Sequence, residues 1–340
     1  MQTTDLIEQI LKYKSVSFVG MAKNTGKTEA LNYVLRALNE RNMRCGVTSV
    51  GIDGEKQDFI FATSKPEITV YPKTTFITAE KLYPLCRLTS AIKALSARTT
   101  ALGRLITAEA ITKGEVMLAG PASTVWLKEI IDAMLADIPL CLIDGALSRK
   151  SLGSPSITDA MILSTGAALS MNIDVLTRKT DFLFRMTQLP VAETALVSAL
   201  KDIDTGIYAI ENNIPHRLPI PSLLMINDYK NVILSHGRRL FIGGILTDNL
   251  LHFILSQGDV SQTELTVTDF TKIFSSITQT DLFLQKGGKL QVLKPTNLIA
   301  ITINPFAPNG FRFDAGRLHN AIAERVNVPV YNVKEQTEIK

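Results

Sequence analysis

SVSFVGMAKNTGKTEALNYVL, residues 15–35, decides how the rest of the chain is read. Its first six residues are mostly apolar and end in glycine, the mark of a buried strand. From Ala30 onward, Ala30, Leu31, Val34, Leu35 and Leu38 recur at helical spacing, which predicts an amphipathic helix to about Glu40. Between strand and helix lies GMAKNTGKT. A loop that cradles phosphate needs converging backbone N–H groups, a lysine for the β/γ phosphates and a hydroxyl for Mg²⁺. It also needs a helix N-terminus facing the anion. Here Gly20 ends the strand, Gly26 lets the chain close on the phosphate, Lys27 is the cation and Thr28 the hydroxyl. Asn24 and Thr25 complete the candidate nucleotide-binding set, and Lys23 is a further residue that would reach phosphate or a partner. The spacing is one residue longer than GxxxxGK[ST], and Met21 stands where that motif has its first glycine. A GKT triplet alone occurs by chance; between an apolar strand and an amphipathic helix it is far more specific.

Two acids extend the reading. CLIDG (141–145) is an apolar run closed by Asp144, the form of a strand whose terminal carboxylate holds Mg²⁺ through water; a turn aspartate before glycine is the plainer alternative. GIDGE (51–55) places Asp53 at the end of the strand after the loop helix, at the sheet edge where ligands bind. Asp53 would orient the attacking water or help bind metal, with Glu55 as the alternative. Asp53 and Asp144 are thus the catalytic candidates, and Thr28, Asp53 and Asp144 the metal candidates. Weaker signals are GPAS (120–123), STGAALS (164–170) and the basic stretch RKSLGSPS (149–156). NPFAPNGFRFD (304–314) reads as a structured loop without an assignable role, and Trp126 reads as core.

The totals fit an α/β protein. The 340 residues are 46% hydrophobic and 20% charged, enough to bury a large core. The net charge of +4 comes from dispersed residues, with no basic run longer than a pair, so nothing indicates a nucleic-acid arm or a membrane patch. Cys45, Cys86 and Cys141 lack metal-ligand spacing and read as reduced thiols, and the four histidines form no zinc motif. The N-terminus does not read as a signal peptide, and no apolar run approaches the about 18 residues of a membrane span. A cytoplasmic protein is expected.

Strands that are apolar throughout, alternating with helices, predict a predominantly parallel sheet covered on both faces; the loop after the first strand makes the P-loop NTPase type the expected form of it. Residues 4–13 read as a short helix, 65–80 as short strands broken by Pro66 and Pro72, and 83–100 as helical. Two strands flank Lys113–Gly114, a helix contains Trp126, 138–150 reads as an apolar strand with a polar end, and 158–170 as a strand, a glycine and the start of a helix. ENNIPHRLPIPS (211–222) breaks the pattern. The chain is therefore divided into a nucleotide-binding domain, 1–205, and a second, smaller α/β domain, 206–340.

The loop, the acid after the next strand and the late Asp144 together resemble the branch of P-loop proteins that holds dethiobiotin synthetases, MinD-like ATPases and metallocentre-assembly GTPases. The extra MinD-like lysine would fall at Ala22 and is absent. NNIP and TRKTD do not fit a guanine-specifying NKxD, so ATP is preferred. More closely, FVGMAKNTGKTEALNYVL (18–35), TSVGIDGE (48–55), TSKPEI (63–68) and LIDGALSRKS (142–151) resemble the KamB-type phosphate-loop subunit of the lysine 5,6-aminomutase reactivating factor. The resemblance implies that Lys27 and Thr28 bind ATP and Mg²⁺. It also implies a MutS-like ATPase subunit as partner and an adenosylcobalamin-dependent aminomutase as client. A small-molecule ligase or kinase of the dethiobiotin synthetase type, and a nucleotide-dependent assembly protein, are the alternatives.

Overall fold

The computed structural model describes residues 5–51, 67–146, 157–220, 229–234 and 236–333. In chain order they form α1 (Leu6–Ile10), β1 (Ser15–Gly20), α2 (Lys27–Glu40), β2 (Gly46–Ser49), β3 (Ile68–Val70) and β4 (Thr75–Ala79). Then come β5 (Ser90–Thr100), β6 (Gly103–Ala110), β7 (Gly114–Val116), α3 (Thr124–Leu135), β8 (Cys141–Ala146), β9 (Ala160–Gly166) and α4 (Ile173–Thr187). The chain continues through α5 (Thr194–Leu200), β10 (Ile207–Glu211), β11 (Ile214–Arg217), α6 (Lys230–Ile233), β12 (Arg239–Ile242), α7 (Asp248–Ser256) and β13 (Glu264–Val267). It ends with α8 (Ile277–Gln285), β14 (Lys289–Val292), β15 (Leu298–Asn304), α9 (Ala315–Ala323) and β16 (Val330–Tyr331).

The fold is α/β, with a large, mostly parallel sheet. Nine strands run in the order β16-β15-β9-β1-β8-β2-β4-β6-β5. The first seven are parallel; β6 and β5 add an antiparallel hairpin at one edge. Strand periodicity sorts the core. Val16, Phe18, Leu142 and Ile162 face α1 and α2, with Leu31, Val34, Leu35 and Leu38 packed on them. The alternate residues of β8, Cys141 and Ile143, face α3 through Leu127 and Ile131. All six residues of β1 are buried, as a strand covered on both faces requires. Cys45 and Cys141 lie in this core, and burial pushes the Cys45 thiol up to about 12.

Residues 83–100 are not a helix. A short 3-10 turn spans Tyr83–Leu85, and β5 pairs antiparallel with β6. Ala, Lys and Leu are good helix formers, but intrinsic propensity amounts to fractions of a kcal/mol per residue, and ladder pairing overrides it here.

The chain divides into two compact units, Met1–Thr180 with Asn297–Lys340, and Asp181–Thr296. The expected boundary at residue 205 is therefore misplaced, and so is the expectation that 206–340 form one domain. The cause is β15, which returns to the first sheet and pairs with β9. The inserted unit carries its own sheet, β11-β10-β12-β13-β14, parallel only from β12 to β14. Of the proline-rich break that suggested a boundary, 221–222 lie outside the described residues, and residues 211–217 belong to a hairpin in this sheet. Asn212 and Asn213 both have positive φ in its two-residue turn, and Pro215 sits on edge strand β11. Among the described residues no helix is long and apolar enough to cross a membrane.

Candidate functional site

The site forms at the carboxyl edge of the large sheet. From β1 the chain passes through α2 to β2, beyond β8, whereas the strand that follows β9 in this sheet, β15, lies on the far side. The carboxyl ends of β1 and β9 therefore flank a topological switch point, where open α/β sheets leave a crevice. Gly20 ends β1 opposite Ser164 of β9 and Ala146 of β8. The Met21 N–H donates to the Ser164 carbonyl at 2.9 Å, so the loop leaves the strand across that crevice.

The loop folds back through two residues with positive φ, Asn24 at 62° and Gly26 at 90°. Gly26 is glycine for two reasons. An L side chain is strained at that φ, and a Cβ there would lie 2.8 Å from Asn304 Cβ. At Gly20 a Cβ would meet Thr25 Oγ1 at 2.9 Å. Buried Thr25 instead donates that hydroxyl to the Ala22 carbonyl at 2.9 Å, drawing the turn closed. The first regular bond of α2 runs from Ala30 N–H to the Gly26 carbonyl at 3.0 Å. Gly26 is the N-cap and has no side chain to cap with, so the N–H groups of Lys27, Thr28 and Glu29 lack intrahelical acceptors. Open N–H groups plus the positive end of a 14-residue helix dipole make a ready anion site.

Asp144 is delivered by strand register. It lies opposite Phe18 of β1 and Ser49 of β2, on the face that α2 covers. Lys27 Nζ stands 2.7 Å from Asp144 Oδ1, with side chains 21% and 16% exposed. This is an ion pair of close approach. The Lys27 ammonium is thus the charged neighbour of Asp144 Oδ1. A carboxylate so paired has capacity for a further cationic partner.

The structure thus brings together Gly20, Asn24, Thr25, Gly26, Lys27, Thr28 and Asp144. Asp53, Glu55 and the stretch 149–156 lie outside the described residues. GPAS has a structural part: a Cβ on Gly120 would collide with the Ser49 carbonyl, and Ser123 caps α3 by accepting the Trp126 N–H at 3.3 Å. In STGAALS, Ser164 belongs to the site through its carbonyl, and its hydroxyl bonds Thr302 of β15 at 2.8 Å. Trp126 is half-buried at the rim of the α3 core, with Arg98 over its ring. Sequence reasoning missed Asn304. It is 8% exposed at the end of β15, and its Nδ2 donates to the Asn24 carbonyl at 3.1 Å. No family model, curated protein or solved structure matches this chain.

Proposed function

We propose that this chain is an ATP-binding protein of the P-loop NTPase type. In this reading it is the ATP-hydrolysing subunit of a reactivating factor for an adenosylcobalamin-dependent lysine 5,6-aminomutase. The observation that carries the nucleotide reading is the uncapped start of α2, with Lys27 set against Asp144. An anion entering there meets N–H groups, a helix dipole and an ammonium group at once. The polyphosphate would take Lys27 from Asp144, exchanging one charge-assisted contact for another.

The donor set fits Mg²⁺: the Thr28 hydroxyl in the first helical turn and the Asp144 carboxylate, which keeps oxygen lone pairs beyond its contact with Lys27. When bound, the ion would neutralise charge on the β- and γ-phosphates. The chain's own part is to hold the triphosphate on the loop, place Lys27 on it and keep Asp144 at the adjacent strand end. Asp53 remains the second catalytic candidate, on sequence grounds.

The reactivase part rests on the four sequence segments whose resemblance is described above. Removing damaged cobalamin requires opening a tight protein–cofactor contact. A nucleotide-driven factor does this only if its ATP and ADP states differ in affinity for the client. The test is capture with tagged protein from a cell extract that ferments lysine, with and without MgATP. The proposal expects a MutS-like ATPase and a cobalamin-dependent aminomutase in nucleotide-dependent yield, and slow hydrolysis that accelerates when they are added. Hydrolysis that requires a small-molecule acceptor and no protein would overturn it in favour of a ligase or kinase.

A further inference from the structure

We infer that Asn304 is a positioning residue for the phosphate loop, holding its backbone in the anion-accepting form before any ligand arrives; this rests on the nucleotide reading above. A loop can offer N–H groups to an anion only if its carbonyls are turned away and satisfied elsewhere. Three carbonyls here have identified donors. Ala22 accepts from the Thr25 hydroxyl and Gly26 from the Ala30 N–H, both partners within the motif itself. The Asn24 carbonyl has its donor 280 positions away, in Asn304 Nδ2. Asn24 is also one of the two positive-φ residues on which the fold-back depends.

Asn304 is itself rigidly held. Its backbone carbonyl accepts the Ala167 N–H at 2.9 Å, and its Oδ1 accepts the Phe306 N–H at 3.2 Å. Its Cβ abuts the site a Gly26 side chain would fill, and its backbone closes on Gly166. Beyond it, Pro305–Phe313 form a small hairpin, with bonds from Ala307 N–H to Phe311 O at 2.8 Å and from Phe313 N–H to Pro305 O at 2.9 Å. The side chain of Asn304 therefore ties the phosphate loop to this hairpin, and its backbone carbonyl ties both to the end of β9.

The test is equilibrium binding of tripolyphosphate with Mg²⁺ and, separately, of adenosine, to the full chain and to Asn304→Ala and Asn304→Leu. Leucine keeps the shape and removes both hydrogen bonds, so one variant suffices if the other does not fold. Both variants should bind tripolyphosphate about tenfold more weakly, equivalent to about 1.4 kcal/mol, with adenosine affinity unchanged. Tripolyphosphate binding within about twofold of the unmodified chain overturns the inference, as does an equal loss for adenosine, which marks general loosening. Lys27→Ala separates the two levels. If it binds tripolyphosphate as well as the unmodified chain does, the nucleotide reading fails and takes this inference with it.

Discussion

Each unit contains a strand that runs through glycine and a short loop into a helix. In the first it is β1, Gly20 and α2; in the inserted unit it is β12, Gly243–Gly244 and α7. The frames are alike and the helix starts are opposite. α2 begins at a glycine N-cap, with Lys27 as its first residue. α7 begins at Thr247, whose hydroxyl accepts the Leu250 N–H, and its first residue is Asp248, whose carboxylate accepts the Ser276 N–H at 2.6 Å. The loop before α7 is also tied down, since Leu246 exchanges backbone bonds with Lys272 and Phe274 at 2.8 Å. Both first turns carry an acid, Glu29 in α2 and Asp248 in α7, but one helix end is left uncapped beside Lys27 and the other is closed by its own residues. The lesson is that capping, more than the strand–glycine–helix frame, decides whether a helix start can take an anion.

The largest expected effect comes from Lys27→Ala. Removing the cation should weaken MgATP binding by about a hundredfold, or about 2.7 kcal/mol, while circular dichroism stays native. Titration calorimetry reads this directly, and unchanged affinity would remove the asymmetry between the two loops.

Gly26→Ala should come next. The left-handed conformation costs an alanine about 1–2 kcal/mol, and its Cβ would press on Asn304. Phosphate affinity should fall with the deformed loop. Gly243→Ala is the control: its Cβ would meet the Thr205 backbone at 2.9 Å, so it should lower the melting temperature and spare nucleotide binding.

Asp144→Asn should leave ATP binding in EDTA intact or tighter, because Lys27 loses its competing partner. Affinity should then no longer rise when Mg²⁺ is added. A normal Mg²⁺ response, measured by titrating the ion at fixed nucleotide, would take Asp144 out of the metal site. The smallest effect is expected for Thr247→Ala, which loses a helix cap worth about 1 kcal/mol in denaturant melts and should not alter ATP affinity.

The strand–loop–helix of residues 15–40 was legible because its apolar strand, its glycines and its helix face are contiguous in the chain. Asp144 was legible because an acid closing an apolar run is itself a local pattern, and strand register then set it beside Lys27. Asn304 was not: its partner is 280 residues away, and nothing local in NPFAPNGFRFD marks a loop-holding amide. The boundary between units failed for a related reason. LIAITIN reads as a buried parallel strand whichever sheet receives it, and only the pairing with β9 assigns it. β5 was misread because alanine, lysine and leucine mask an edge strand whose conformation comes from the ladder with β6.

Amide hydrogen exchange, with and without MgATP, compared between residues 24–29 and residues 243–250, separates the two helix starts. MgATP should slow exchange by at least about tenfold at the start of α2, where the first N–H groups lack intrahelical acceptors, and leave the capped start of α7 unchanged. No change at residues 24–29, or equal slowing at both helix starts, would contradict an anion site at the start of α2.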